Sequence, residues 1–363
     1  MNQDHAVHDE GGTLKKHRLT KLIVVLALAL VAAACGDVDT TTTAGEAETT
    51  TTAGEAEATT TTAAEAEPFR IAIVAPSASN DLAFTQSIVD AVNVIKSEMG
   101  NVDLQVTDGT FVVEDAAAAI RAYADSGVDL VIAHGSQYGG SLQEIAPDFP
   151  DTSFAWGTAA DTFGLSNVFA YEAASDEGGY VMGVMGAALS ESNVIGIVGP
   201  VEVGDAKLYV DGFKAGVLAQ NPDAEVLVNY TDSFSDVALA SEAAQAQAAN
   251  GADVMSGTAQ MVVGAVTVAS DQGILWFGTQ ANQTSLAPNI VVASQVYHWE
   301  VVLRDIIAKI EAGTPGGEYF KIDLANGGEV IEYNDGFDLP ADVRQLGEDA
   351  IAGIKDGSIT TGS

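Results

Sequence analysis

Strand-length apolar runs and helix-length stretches alternate along this chain, and the alternation begins again midway. The first series of strand candidates is 70–75, 102–107, 130–133, 153–156 and 168–171, with helical stretches at 82–98 and 116–124. The second is 194–198, 224–230, 253–256, 275–278 and 290–293, with helices expected at 205–220, 236–250 and 260–272. Runs that are apolar throughout suit strands covered on both faces, as in parallel sheets. A helix between two strands returns the chain to start a parallel neighbour. Two successive series therefore predict an α/β protein with two open, doubly wound parallel-sheet lobes, and 363 residues is room enough for both. Ligands of such sheets gather beyond the carboxyl ends of the strands, so two facing lobes would enclose a cleft.

The residues ahead of these series describe an address. Lys15, Lys16, Arg18 and Lys21 precede an apolar run from Leu22 to Ala34, and Cys35, the only cysteine, follows directly. The run is short for a membrane span, which needs about 20 apolar residues, but fits a secretory signal peptide over 1–34. Ala32-Ala33-Ala34 before the cysteine resembles the bacterial lipobox, with Ala32 where Leu is usual, which implies Cys35 as a lipidated N-terminus. TTTTAGEAE then occurs at 40–48 and 49–57, with the variant TTTTAAEAE at 59–67. Such a segment has too little apolar surface to offset the entropy of ordering, and residues 35–68 read as a disordered tether. The chain carries 51 acidic against 14 basic residues, a net charge of −37. That field repels phosphate backbones, so nucleic acid is excluded as a partner.

Specific blocks then narrow the class. SNDLAFTQSIVDAV (79–92), SGVDLVIAHG (126–135), FPDTSFAWGTAAD (149–161), NVFAYEAASDEGGYVMGVMGAALSESNVIGIVGP (167–200), YVDGFKAGVLAQNPDAEVLVNYTDSFSD (209–236) and NGADVMSGTA (250–259) follow one another in order. From 69 to about 334 the chain resembles the basic membrane protein family of substrate-binding lipoproteins, which includes purine-nucleoside receptors of ABC importers. The resemblance implies two type I periplasmic-binding-protein-like lobes joined by a multi-crossing hinge. Lobe 1 would comprise 69–171 plus 294–318 and lobe 2 would comprise 172–293 plus 319–363, with crossings near Tyr171, Ala293 and Tyr319.

A purine offers a flat π-face and a polar edge, so its receptor wants aromatic plates and a few directed hydrogen-bonding groups. The family motif of an Asp followed three residues on by Phe and a polar residue matches Asp81, Phe84 and Thr85. It implies Phe84 as one plate and Asn80 with Asp81 at the polar edge, although Asp81 also suits a helix cap. Phe234 would be the facing plate, Asp236 the cap of the next helix, and Asp161 a carboxylate at the cleft rim. Trp156, Trp276 and Trp299 are further candidates for the wall, Trp276 standing in a strand where core packing is the natural role. The chain departs from the family where a loop of type GVDSDQ becomes Gly278-Thr279-Gln280-Ala281-Asn282-Gln283, and where Ser-x-x-Lys becomes Ser294-Gln295-Val296-Tyr297. Gln280 can donate as well as accept, and Tyr297 adds an aromatic plane. The pocket should therefore be less charged than a nucleoside site and suit a free base better than a ribonucleoside.

Catalytic patterns are thin. The body holds only His134 and His298, without zinc-ligand spacing, and no G-x-S-x-G elbow, Walker loop or strand-borne G-x-G-x-x-G occurs. No cofactor is implied. The sequence thus describes a non-catalytic, lipid-anchored receptor on the extracytoplasmic face of the cell membrane, handing a small solute to an ABC permease. The alternative it leaves open is a surface lipoprotein that senses or binds another small molecule, such as a sugar.

Overall fold

The structure is a computed structural model that describes residues 67–362. The signal run, Cys35 and the tether up to residue 66 lie outside them. The first series folds as β1 (Phe69–Val74), α1 (Phe84–Met99), β2 (Val102–Thr107), α2 (Val113–Asp125), β3 (Leu130–His134), α3 (Gly139–Ile145), β4 (Ser153–Gly157) and β5 (Val168–Ala173). The second is α4 (Ser175–Leu189), β6 (Val194–Gly199), α5 (Gly204–Gln220), β7 (Glu225–Tyr230), α6 (Val237–Ala249), β8 (Val254–Gly257), α7 (Val263–Gln272), β9 (Leu275–Gln280) and β10 (Val291–Tyr297). The chain ends with α8 (Glu300–Glu311), β11 (Tyr319–Ile322), β12 (Glu329–Tyr333) and α9 (Ala341–Lys355).

Two six-stranded sheets result, in the orders β11-β5-β4-β3-β1-β2 and β12-β10-β9-β8-β6-β7. Every pairing is parallel except that of β12 with β10. Alternate side chains of a strand point to opposite faces, and in β1 both sets are apolar. Ile71 and Ile73 pack with Ile88 of α1 and Leu303 of α8, while Ala72 and Val74 pack with Ile120 of α2 and Leu142 of α3. The second sheet repeats this, with Ile195 and Ile197 against α4, α5 and α9, and Met255 and Trp276 against α6 and α7.

The chain passes between the sheets three times: from Ala173 into α4, from Tyr297 into α8, and from Ile322 to Glu329. The second and third passages fall later than the residues expected near 293 and 319. β10 runs on to Tyr297 because β12 supplies it with an antiparallel partner, and β11 finds its hydrogen bonds along β5 in the first sheet.

Glycines bring α4 and α5 into backbone contact. A Cβ at Gly183 would stand 2.1 Å from the Phe213 carbonyl oxygen, and one at Gly216 would stand 2.0 Å from that of Tyr180. Gly212 and Gly179 are equally tight, against Asp176 and Tyr209 backbone oxygens at 2.2 and 2.6 Å.

Beside the passages a buried carboxylate is held by neutral donors. Glu329 Oε1 accepts from the Gly178 N–H and from Gln295 Nε2, both at 2.6 Å, while Oε2 has no hydrogen-bond partner among the described residues. Burial pushes its carboxyl well above the usual carboxylate range. The folded protein thus binds this proton more tightly than the unfolded chain, so the stability it contributes is present in acid and is lost as pH rises through the folded value. The thermal midpoint of Glu329→Gln is therefore expected to depend less on pH between 5 and 8 than that of the parent protein. Parallel midpoint curves for the two proteins would show that Glu329 does not set the slope.

Candidate functional site

The carboxyl ends of the two sets of parallel strands face one another across a cavity with about 380 Å³ of empty space, counted out to its open side. Pro76 follows β1, Phe84 opens α1, Phe111 follows β2, Ser136 and Gln137 follow β3, and Thr158 follows β4. From the other lobe come Asp205 and Ala206 in the first turn of α5, Phe234 between β7 and α6, Ala259 and Gln260 past β8, and Gln280 at the end of β9. A Thr158 Oγ1 donor reaches Asp205 Oδ1 at 2.9 Å and so ties the lobes together directly across the cavity.

Phe84 is held from behind. Its ring stacks on the imidazole of His134 with centroids 3.8 Å apart and planes at 16°. His134 Nε2 lies 3.1 Å from the Phe84 carbonyl oxygen, which can only accept, so Nε2 carries the proton. Nδ1 then accepts from the Tyr171 hydroxyl at 2.7 Å. Burial drives the imidazole down to about 3, only slightly opposed by that carbonyl bond, so the ring behind Phe84 is neutral at physiological pH. The plate is thus backed by an uncharged, hydrogen-bonded ring with no freedom to tilt.

Of the residues singled out in the sequence, Phe84, Phe234 and Gln280 reach the cavity together. Asp81 does not line it. Its carboxylate accepts from the N–H groups of Ala83 (2.9 Å), Thr85 (3.2 Å) and Gln86 (3.1 Å) and from the Ser77 hydroxyl, and so serves the start of α1. Thr85 is buried and its hydroxyl pairs with Ser77, while Asn80 is exposed. Asp161 is exposed and closes a local turn onto the Phe163 N–H at 2.7 Å. Trp156 stacks on Phe163 and donates to the Gly135 carbonyl at 3.1 Å, behind the loop that carries Ser136. Tyr297 lies edge-on to Trp299 and borders a separate cavity with Asp90, His298 and Glu300. Trp276 and Trp299 are fully buried core residues. Asp236 caps α6 through the N–H groups of Ala238 and Leu239.

Gln280 is 3% exposed and sits at φ 70°, and its Oε1 has no hydrogen-bond partner. Gln283, three residues on, spends its amide on the protein: Oε1 accepts from Trp276 Nε1 at 2.9 Å, and Nε2 donates to the Thr279 carbonyl at 3.1 Å and, across the lobes, to the Leu82 carbonyl at 3.4 Å. The cavity is nevertheless not uncharged, because Asp205 supplies a carboxylate from a place the family motifs do not mark. Burial raises it to about 6, with the Thr158 hydrogen bond pulling down and the charge of Glu172 pushing up. Phe111, Thr158, Asp205 and Gln260 escape a motif reading, yet each stands just past a strand of the series, where the topology alone locates ligands. Among the described residues no group of three or more His, Cys, Asp or Glu side chains could hold a metal, and no helix is long and apolar enough to cross a membrane.

The sequence profile of the family described as ABC transporter substrate-binding protein PnrA-like matches residues 69–357. A purine-binding protein of Brucella abortus (strain 2308) is 28% identical over 245 residues, which is 68% of this chain and 69% of that protein. The transcriptional activator protein med of Bacillus subtilis (strain 168) is 26% identical over 317 residues, 86% of this chain and 89% of that one. Among solved structures, an ABC transporter solute-binding protein from Aeropyrum pernix K1 superposes with a TM-score of 0.70 at 21% identity, covering 81% of this chain and 93% of the other. That likeness is one of fold, and the profile match runs through both sheets. The chain belongs to the PnrA-like family of ABC transporter substrate-binding proteins.

Proposed function

We propose that this protein captures a small, flat solute of the purine class between its two lobes and passes it, chemically unchanged, to an ABC permease. Cys35 would be the acylated N-terminus that keeps it on the extracytoplasmic face of the membrane, and residues 36–68 the tether. The observation that carries this reading is the cavity wall: three phenylalanines, Phe84, Phe111 and Phe234, with one charged group, Asp205. Aromatic planes suit a π-face, and closure of two lobes around a ligand is a population shift that the ligand stabilises. The purine-binding relative supports the same class of cargo. The loss of the family's loop carboxylates at Gln280 and Asn282 favours a free base over a ribonucleoside.

A thermal-shift panel of free bases, nucleosides, sugars and amino acids tests this. A bound ligand adds about 2.7 kcal/mol of stability at a hundredfold excess over its dissociation constant, so a true cargo raises the midpoint visibly. Free purines are expected to give the largest shift. A shift with sugars or amino acids alone would overturn the aromatic reading, and nucleosides outperforming bases would overturn the inference from the loop.

A further inference from the structure

We infer that Asp205 selects the cargo, favouring a flat ring that presents an exocyclic amino group or an equivalent N–H donor over one that lacks it. This deepens the purine reading and rests on it. Among the described residues, Asp205 is the only charged one on the cavity wall, and no Lys, Arg or His lines it. The nearest lysine along α5, Lys207, is engaged by Asp211 and lies 3.8 Å from Glu202. What the carboxylate does receive is the Thr158 hydroxyl at 2.9 Å and the backbone N–H groups at the start of its own helix. A carboxylate has about four acceptor sites and these donors occupy three of them, so one remains for a ligand.

The same cavity holds two further acceptors without donors. Gln280 Oε1 and Gln260 Oε1 are both buried and unpartnered, and both residues line the space. A buried acceptor left unmade is costly, and a ligand that supplies its donor recovers that cost as affinity. Three acceptors from one lobe, lining the same cavity as three phenylalanine rings, describe the complement of an amino-bearing ring. A ligand that brought only carbonyl oxygens would set them against Asp205. The raised proton affinity of Asp205 points the same way: its charge is poorly solvated in the free protein and lacks a positive partner. The titratable groups coupled to it are Glu172 on β5 and Tyr297 on β10, while His134 behind Phe84 stays neutral above about pH 3.

Adenine and unsubstituted purine, which differ by the amino group, form the decisive pair, titrated by calorimetry into the intact protein. The parent protein is expected to bind adenine at least about tenfold more tightly, the range of a hydrogen bond to a charged group. Asp205→Asn should clearly reduce that ratio, since only the charge-assisted part of the recognition is lost, without lowering the thermal midpoint, since it removes a poorly solvated charge. The parent's preference should also weaken at pH 5 relative to pH 7.5, as the carboxylate takes up its proton. Equal binding of the two ligands by the parent, or a preference that Asp205→Asn leaves undiminished, overturns the assignment while leaving the purine reading intact. If neither ligand binds, the purine reading falls and the assignment falls with it.

Discussion

Gly216→Ala is expected to lower the thermal midpoint by on the order of 6 °C or more relative to the parent. In an exposed helix interior the same change gains up to about 1 kcal/mol, because alanine is the better helix former. Here the new Cβ would stand 2.0 Å from the Tyr180 carbonyl oxygen and 2.8 Å from its carbonyl carbon. Neither atom can swing away as a side chain would, so α4 and α5 must separate along their whole contact. Their packing against the sheet through Met185 and Phe213 would loosen with them. Overpacking of this kind commonly costs about 1–3 kcal/mol, and backbone on both sides puts it at the upper end. Gly140 in α3 is the internal control, since a Cβ there meets nothing within 4 Å. Gly140→Ala should hold or raise the midpoint, and a midpoint held or raised at Gly216 as well would show that helix propensity, not contact, decides.

The second large effect separates binding from folding. Phe234 is half-buried on the wall of the cavity, and its truncation should weaken binding of a flat base about 10- to 100-fold while moving stability by less than about 1 kcal/mol. Phe84 is 8% exposed and stacked on His134, so Phe84→Ala should lose both binding and about 3 kcal/mol of stability. Calorimetric titration of the Phe234→Ala protein with adenine decides the matter. Undiminished affinity would make Phe234 a bystander and leave the aromatic wall without a function.

The paired strand and helix series was legible because burial on both faces leaves apolar runs such as 130–133 and 154–156. α4 escaped the periodicity because its sequence, SDEGGYVMGVMGAAL, is rich in glycine, a poor helix former; its glycines are the small residues that the close approach of α5 requires. β11 and β12 are short and half-exposed, and only the free sheet edges beside β5 and β10 make strands of them. At the site, Phe84, Phe234 and Gln280 could be found from motif position; Asp81 took the other role its position suits, at the start of α1, while Thr85 turned inward to Ser77, a bond that no spacing reveals. Asp205 was hidden in plain view, as an acidic residue in the first turn of a helix, a place where a carboxylate needs no special reason.

The edge position of β11 and β12 bears on how the protein is made. Neither sheet can be completed until the segment from Tyr319 to Tyr333 has left the ribosome, and that segment finishes one sheet and then the other within a few residues. Until then both sheets would present an open strand edge, β5 in one and β10 in the other, and open edges recruit other chains. The two lobes are therefore closed by a single late stitch, so a chain truncated before Tyr319 should aggregate where one truncated ahead of α9 could still pair all of its strands.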